Sequence, residues 1–168
     1  MRRVVVTGIG IVSSIGNNTE EVSESLLRGK SGITRNEDMV AHGFRSQIAG
    51  NIKLDVSEYI DKRTLRFMGL GAAYSHIAME QAITDAGLKE EEVSNTRTGL
   101  VAGSGGPSTS AMLAAHQTVL KNSSPKRIGP FAVPKCMSST ISANLSTAFK
   151  LSLIHISEPT RLRRISYA

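Results

Sequence analysis

Apolar and polar positions sort this chain into a short series of elements. Val4, Val5 and Val6 form an unbroken β-branched run with no polar alternation, which predicts a strand covered on both faces, as in a sheet sandwiched between helices. Thr7-Gly8-Ile9-Gly10 should end it, because two glycines permit a turn or a close backbone approach that a Cβ would obstruct. Residues 18–29 predict a helix. Asn18 and Glu21 have capping-box spacing, Glu20 and Glu21 lie at the favourable end of the helix dipole, Val22 and Leu26 share a face, and Gly29 closes it. Residues 30–51 lack a period and read as a surface excursion with a short strand within 46–52.

Residues 70–86 carry the strongest helical pattern. Leu70, Ala73, Tyr74, Ile77, Ala78 and Ala82 fall on one stripe, whose alanines predict close packing against a neighbour. Gly87 and Leu88 supply the stop signal. Residues 98–106 repeat the opening logic of an apolar strand followed by a glycine-rich turn. Residues 110–120 predict a helix, 121–127 a polar basic connection, Val133-Pro134 the start of a further element, and 138–148 a helix of small residues.

Composition narrows the classes. With 168 residues, 40% hydrophobic and 20% charged, the chain suits one soluble globular domain. Trp is absent and aromatics make up 4%, which argues against a stacking platform for single-stranded nucleic acid. The net charge of +6 is spread over small groups rather than a basic helix, so an acidic protein partner fits better than nucleic acid. One cysteine, Cys136, excludes an internal disulfide and suits a reducing cytoplasm. No apolar run is long enough to span a membrane, and the glycines and serines after Arg2-Arg3 argue for strand and turn over a signal peptide.

Candidate chemistry is sparse. Gly8-Ile9-Gly10 begins a dinucleotide fingerprint, but its third glycine position holds Ser13, and Arg28 and Lys30 stand where a ribose-binding acid is wanted. A structural role is favoured. The glycines of 98–106 suit close packing or a substrate-facing loop, but no phosphate loop, since no Gly-Lys-Ser/Thr follows. His76 lacks a metal-ligand partner at suitable spacing and reads as structural or surface. The cluster Lys62, Arg63 and Arg66 is either a solvated helix face or a docking patch. Residues 151–168, LSLIHISEPTRLRRISYA, break with what precedes them and resemble a translated sequencing adapter read past the end of a genuine insert. Setting them aside as a non-native, disordered tail leaves 17 basic against 13 acidic residues in 1–150, a net +4.

The segments VTGIGIVSSIGNN, SLLRGKSGIT, LRFM, MEQAITDAGL, GLVAGSGG and IGPF…STAFK run collinearly through residues 1–150. Together they resemble the N-terminal portion of the β-ketoacyl-acyl carrier protein synthases of type I, condensing enzymes of bacterial fatty acid synthesis. The resemblance implies an α/β thiolase-like fold, of which this chain would be an incomplete N-terminal part of an αβαβα sandwich. It implies an acyltransferase whose cysteine takes an acyl chain from acyl carrier protein. Malonyl-acyl carrier protein is then decarboxylated to a carbanion that attacks the acyl thioester. Such chemistry needs an activated thiolate, two histidines at the developing oxyanion and a lysine. The family's nucleophile follows the position of Phe149-Lys150, where this chain departs into foreign sequence, so no catalytic residue is expected in it. Cys136 lies earlier, outside that motif, and reads as a small half-buried apolar side chain.

Some binding positions match the family's pattern. Lys62, Arg63, Arg66 and Lys126, with Arg127 adjacent, match the basic patch that receives acidic acyl carrier protein. Gly106 and Met137 match positions lining the acyl pocket near a homodimer interface. Pro107 stands where the family often has another glycine. The resemblance implies no cofactor, metal, nucleic acid or membrane partner, and a cytoplasmic homodimer for the full-length protein. Residues 1–150 are thus expected to be a truncated and inactive synthase domain. The alternatives are a small carrier-protein-binding module and, behind it, a nucleotide-dependent oxidoreductase.

Overall fold

The computed structural model describes residues 3–151 and the backbone of Ile156–Ser157. The chain divides into two compact units. The first takes residues 1–55 and 77–87, the second residues 56–76 and 88–168.

In the first unit, helix α1 (Thr19–Leu27) starts at Asn18, whose side chain accepts from the Glu21 backbone N–H at 2.8 Å. The Glu21 carboxylate accepts in turn from Asn17 N–H at 2.8 Å, so the box closes one residue earlier than the sequence spacing predicts. Strand β1 (Ile33–Arg35), helix α2 (Glu37–Ala41) and strand β2 (Ile48–Gly50) fill the surface excursion, with β1 and β2 antiparallel and Thr34 opposite Ala49. The predicted strand within 46–52 therefore forms, with a partner that periodicity did not reveal.

Residues 4–6 differ from their prediction. They form no strand, and Val4, Val5 and Val6 are 92%, 60% and 81% exposed. A strand covered on both faces needs hydrogen-bonding neighbours and layers above and below it. None lies beside this run among the described residues. Nor is Gly8-Ile9-Gly10 a turn. The chain runs on without reversing, and the reversal falls at Ser14-Ile15, where Ser13 N–H donates to the Gly16 carbonyl at 2.9 Å.

The glycines serve close approach instead. Helix α4 (Leu70–Asp85) passes alongside, and a Cβ on Gly10 would overlap the Ala78 carbonyl, while one on Gly8 would overlap that of Ala82 and the Ala86 side chain. The alanine stripe of α4 thus meets a backbone, as the sequence predicts. Ile9 N–H donates to Asp85 Oδ2 at 2.9 Å and Ile11 N–H to Gln81 Oε1 at 3.0 Å. Gln81 Nε2 donates to the Asn17 carbonyl at 2.7 Å. Gly87, with φ +66°, follows α4 as the stop signal requires.

The second unit holds α3 (Lys62–Leu65), the start of α4, α5 (Glu90–Val93), β3 (Leu100–Val101), α6 (Thr109–Asn122), a 3-10 turn at Pro125–Arg127, α7 (Ala132–Cys136) and α8 (Thr140–Ala148). Its core gathers Ile60, Met68, Ala72, Ala73, Val93, Leu100, Leu145 and Leu151, all buried. His76 is buried as well, its ring 5.1 Å from that of Phe149 and tilted by 34°, so of the two readings, structural or surface, the structural one holds. The predicted small-residue helix is α8. It buries Ser142 and Ser146, whose hydroxyls each donate to a backbone carbonyl three residues back at 3.0 Å, which offsets the cost of their burial. The strand read into 98–106 shrinks to two residues.

The 151–168 tail lies mostly outside the described residues. Leu151 is buried, and the backbone of β4 (Ile156–Ser157) pairs in parallel with β3.

Candidate functional site

The basic residues singled out from the sequence sit on two short elements of the second unit. Asp61 caps α3, accepting from the backbone N–H of Arg63 at 2.8 Å and of Thr64 at 3.2 Å, and from the Thr64 hydroxyl. The hydrogen bonds from Thr64, then that from Arg63, hold the Asp61 carboxyl below its ordinary value. This cap fixes the start of a helix too short to form on propensity alone. Lys62 and Arg63 project from it and Arg66 closes it, all three exposed.

Lys126 and Arg127 occupy the 3-10 turn, which Ser124 caps and Pro125 pre-shapes, and both are exposed. Among the described residues none of the five makes an ion pair.

Both elements border one open cavity of about 540 Å³. Leu65 and Met68 enter its wall from the α3 side and Ile128 from the turn, while α6 contributes Ala111, Ala114 and Ala115. Phe67 packs edge-on to Phe131 with ring centroids 5.0 Å apart, tying the α3 segment to that preceding α7. Periodicity gave no hint of this tie. The one sequence signal for the cavity is the trio of alanines at a spacing of three and four on α6, which leaves a side-chain-poor face.

Gly106 lines a separate cleft of about 300 Å³ together with Leu70, Thr140 and Ile141, and a Cβ there would meet open space. Met137 is half-buried at the end of α7 and is not part of that lining, although its carbonyl accepts from Thr140 N–H at 3.2 Å. Gly106 and Met137 thus do not line one cleft together, although Thr140 touches both the cleft and the Met137 carbonyl.

Cys136 is a free, half-buried thiol at the carbonyl end of α7. Activated thiolates use the opposite, N–H end of a helix. Among the described residues no three His, Cys, Asp or Glu side chains are placed to hold a metal ion, and no helix is long and apolar enough to cross a membrane. The Gly8-Gly10 stretch is filled from one side by α4, which agrees with a structural role over a nucleotide site.

Residues 1–153 match the family model described as "Beta-ketoacyl synthase, N-terminal domain". The chain is 52% identical over 151 residues to 3-oxoacyl-[acyl-carrier-protein] synthase 1 of Haemophilus influenzae, an alignment covering 90% of this chain and 37% of that protein. Against the synthase of the same name from Escherichia coli K12 the identity is 46% over 152 residues, with the same coverage of each. Among solved structures, a β-ketoacyl synthase from Burkholderia phymatum superposes with a TM-score of 0.76 at 27% identity, over 94% of this chain and 38% of the other. The fold is accordingly a part of the thiolase-like ketosynthase architecture, and the chain spans less than two fifths of the length of the curated relatives it matches. It belongs to the β-ketoacyl synthase family, whose N-terminal domain it carries.

Proposed function

We propose that residues 1–150 are the N-terminal part of a 3-oxoacyl-[acyl carrier protein] synthase whose whole form performs decarboxylative condensation of an acyl thioester with malonyl-acyl carrier protein. In this reading the fragment retains a landing surface and loses the reactive groups. The observation that carries it is the set of five exposed cations, Lys62, Arg63, Arg66, Lys126 and Arg127, on two capped elements beside one cavity, none of them in an ion pair among the described residues. Such a surface steers an acidic carrier protein and loses its hold as salt rises. Gly106, in its open cleft, fits a position that leaves room for an acyl chain, and Met137 is assigned to the same pocket by the family pattern although it lies outside that lining; a homodimer and a cytoplasmic setting belong to the same proposal.

The test is a titration of the chain with acyl carrier protein at low and at high salt. Binding should be saturable at low salt, and Arg63→Glu should weaken it about tenfold, with the difference shrinking as salt is added. Binding indifferent to both salt and Arg63→Glu would overturn the docking surface.

The chain alone is expected to release no carbon dioxide from malonyl-acyl carrier protein, and measured turnover would refute the loss of catalytic groups. Residues 151–168 are proposed as foreign to the protein. Sequencing the parent locus across codon 150 should show an uninterrupted frame continuing into a cysteine motif. A second reading, a small carrier-binding module complete in itself, draws on the same exposed cations. It requires the locus to end as this chain does.

A further inference from the structure

Helix α8 of the second unit ends in an anchored turn. Leu151 N–H donates to the Ser146 carbonyl at 2.8 Å and Lys150 N–H to the Thr147 carbonyl at 3.4 Å, the paired bonds of a Schellman motif. That motif needs a left-handed residue, and Lys150 supplies it with φ +55°, a conformation that disfavours any side chain. Two contacts from the α5 segment offset the strain: the Lys150 carbonyl accepts from Ser94 Oγ at 2.8 Å, and Lys150 Nζ donates to Glu90 Oε1. Leu145 and Leu151 are both buried. The chain therefore leaves α8 in a fixed direction, tied to the element that precedes β3. A few residues on, Ile156 stands opposite Leu100 and Ser157 opposite Val101 in the parallel β3–β4 pair. The family match ends at residue 153, so β4 lies beyond it.

We infer that β3 is a receiving edge for a parallel strand, that Ile156–Ser157 caps it from within the same chain, and that the anchored end of α8, rather than the sequence beyond it, puts the cap there. This holds whether or not residues 151–168 are foreign to the protein. A parallel partner cannot come from a hairpin and needs a long crossover, which α6, α7 and α8 supply between β3 and β4. Once the end of that crossover is fixed, little chain remains to be closed and the entropic cost of pairing is small. The step from Leu151 to Ile156 reaches at most about 18 Å, which limits the registers available. The ladder itself uses backbone groups that every residue except proline offers in full. Without the cap, β3 would present unpaired N–H and C=O groups beside Val101, which is 72% exposed, and would template pairing with another chain.

The test uses the full 168-residue chain carrying Val101→Cys and Ser157→Cys, oxidised with diamide and mapped by mass spectrometry, which separates the new bond from any to Cys136. Registered strand partners lie within the Cα separation that a disulfide spans, so a 101–157 bond should form within the monomer. Val101→Cys with Glu158→Cys should cross-link about tenfold more slowly, because a one-residue slip turns the side chain to the other face. Ser94→Ala combined with Lys150→Met frees the end of α8 and should slow the 101–157 bond about tenfold, by lowering the effective concentration of one strand at the other. Ile156→Val should leave the rate unchanged. Ile156→Pro removes a backbone donor from β4 and should lower the monomer fraction in sedimentation. Equal rates at positions 157 and 158 would overturn the register, and indifference to Ser94→Ala with Lys150→Met would overturn the anchor. A bond found only between two copies would overturn the internal cap and make another copy's tail the occupant. An unaltered monomer fraction in Ile156→Pro would overturn the capping role.

Discussion

Two neighbouring stretches of the first unit, residues 4–6 and residues 8–11, share an extended course and have opposite fates. The three valines are the more hydrophobic and remain exposed, while Gly8-Ile9-Gly10-Ile11 is locked against α4. Hydrophobicity is non-directional and can act only where a complementary surface is offered. The glycine stretch has that surface because it lacks side chains. Its backbone reaches the Ala78 and Ala82 turns of α4, and Asp85 and Gln81 accept its N–H groups. Contact here follows from backbone fit and satisfied hydrogen bonds, with apolar content secondary: even Ile9 keeps 49% of its surface exposed.

The largest expected break of this contrast is Gly10→Val. A Cβ there overlaps the backbone of α4, with no flexible side chain to give way, so a loss of about 3 kcal/mol or more is expected in denaturant unfolding. Val5→Thr should change stability by less than about 0.5 kcal/mol in the same measurement. A comparable loss from both would show that the valines are buried in solution.

Gln81→Ala sharpens the comparison further, because it removes the acceptor for Ile11 N–H and the donor to the Asn17 carbonyl together. About 1–2 kcal/mol should be lost, with exchange protection falling selectively at the Ile11 amide.

The valines should reveal themselves in association rather than in stability. Unpaired extended backbone carrying large apolar side chains templates edge-to-edge contact. Val4→Lys combined with Val6→Lys should raise the monomer fraction in sedimentation while leaving the unfolding midpoint nearly unchanged. An unaltered monomer fraction would remove this edge as the source of association.

The smallest effect concerns pH in the second unit. Lys150 Nζ donates to Glu90 Oε1, and this bond holds Glu90 below its ordinary 4.5 and Lys150 above its ordinary 10.5. The depressed acid contributes stability that is present above pH 4.5 and lost as pH falls through its folded value. The raised base contributes stability that is present below pH 10.5 and lost as pH rises through its own. Both groups are exposed, so the contribution between those limits is small. Lys150→Met should flatten the shallow fall at both ends of a stability–pH profile.

Helices α1, α4, α6 and α8 were legible in the sequence to within about three residues, since caps and a 3.6-residue stripe are local chemistry that needs no distant partner. Strands were not. β2 was expected without its partner β1, and the valine run was expected as a strand that the described residues do not form, because a ladder depends on a neighbour that periodicity cannot supply. The five cations were likewise legible from sequence, but their convergence beside one cavity was not. It depends on Leu65 and Ile128 entering the same wall and on the Phe67–Phe131 contact across 64 residues of chain.

The sequence by itself determined where helices begin and end, which side chains are charged, and which family the chain resembles. Those properties reside in single residues and short spacings. Tertiary structure alone decided that two glycines would serve as a seat for α4 rather than as a turn, that the valines would stay uncovered, and that three alanines on α6 would leave a cavity. Each of these outcomes depends on what a distant segment places opposite, and steric fit between segments is a property of the pair.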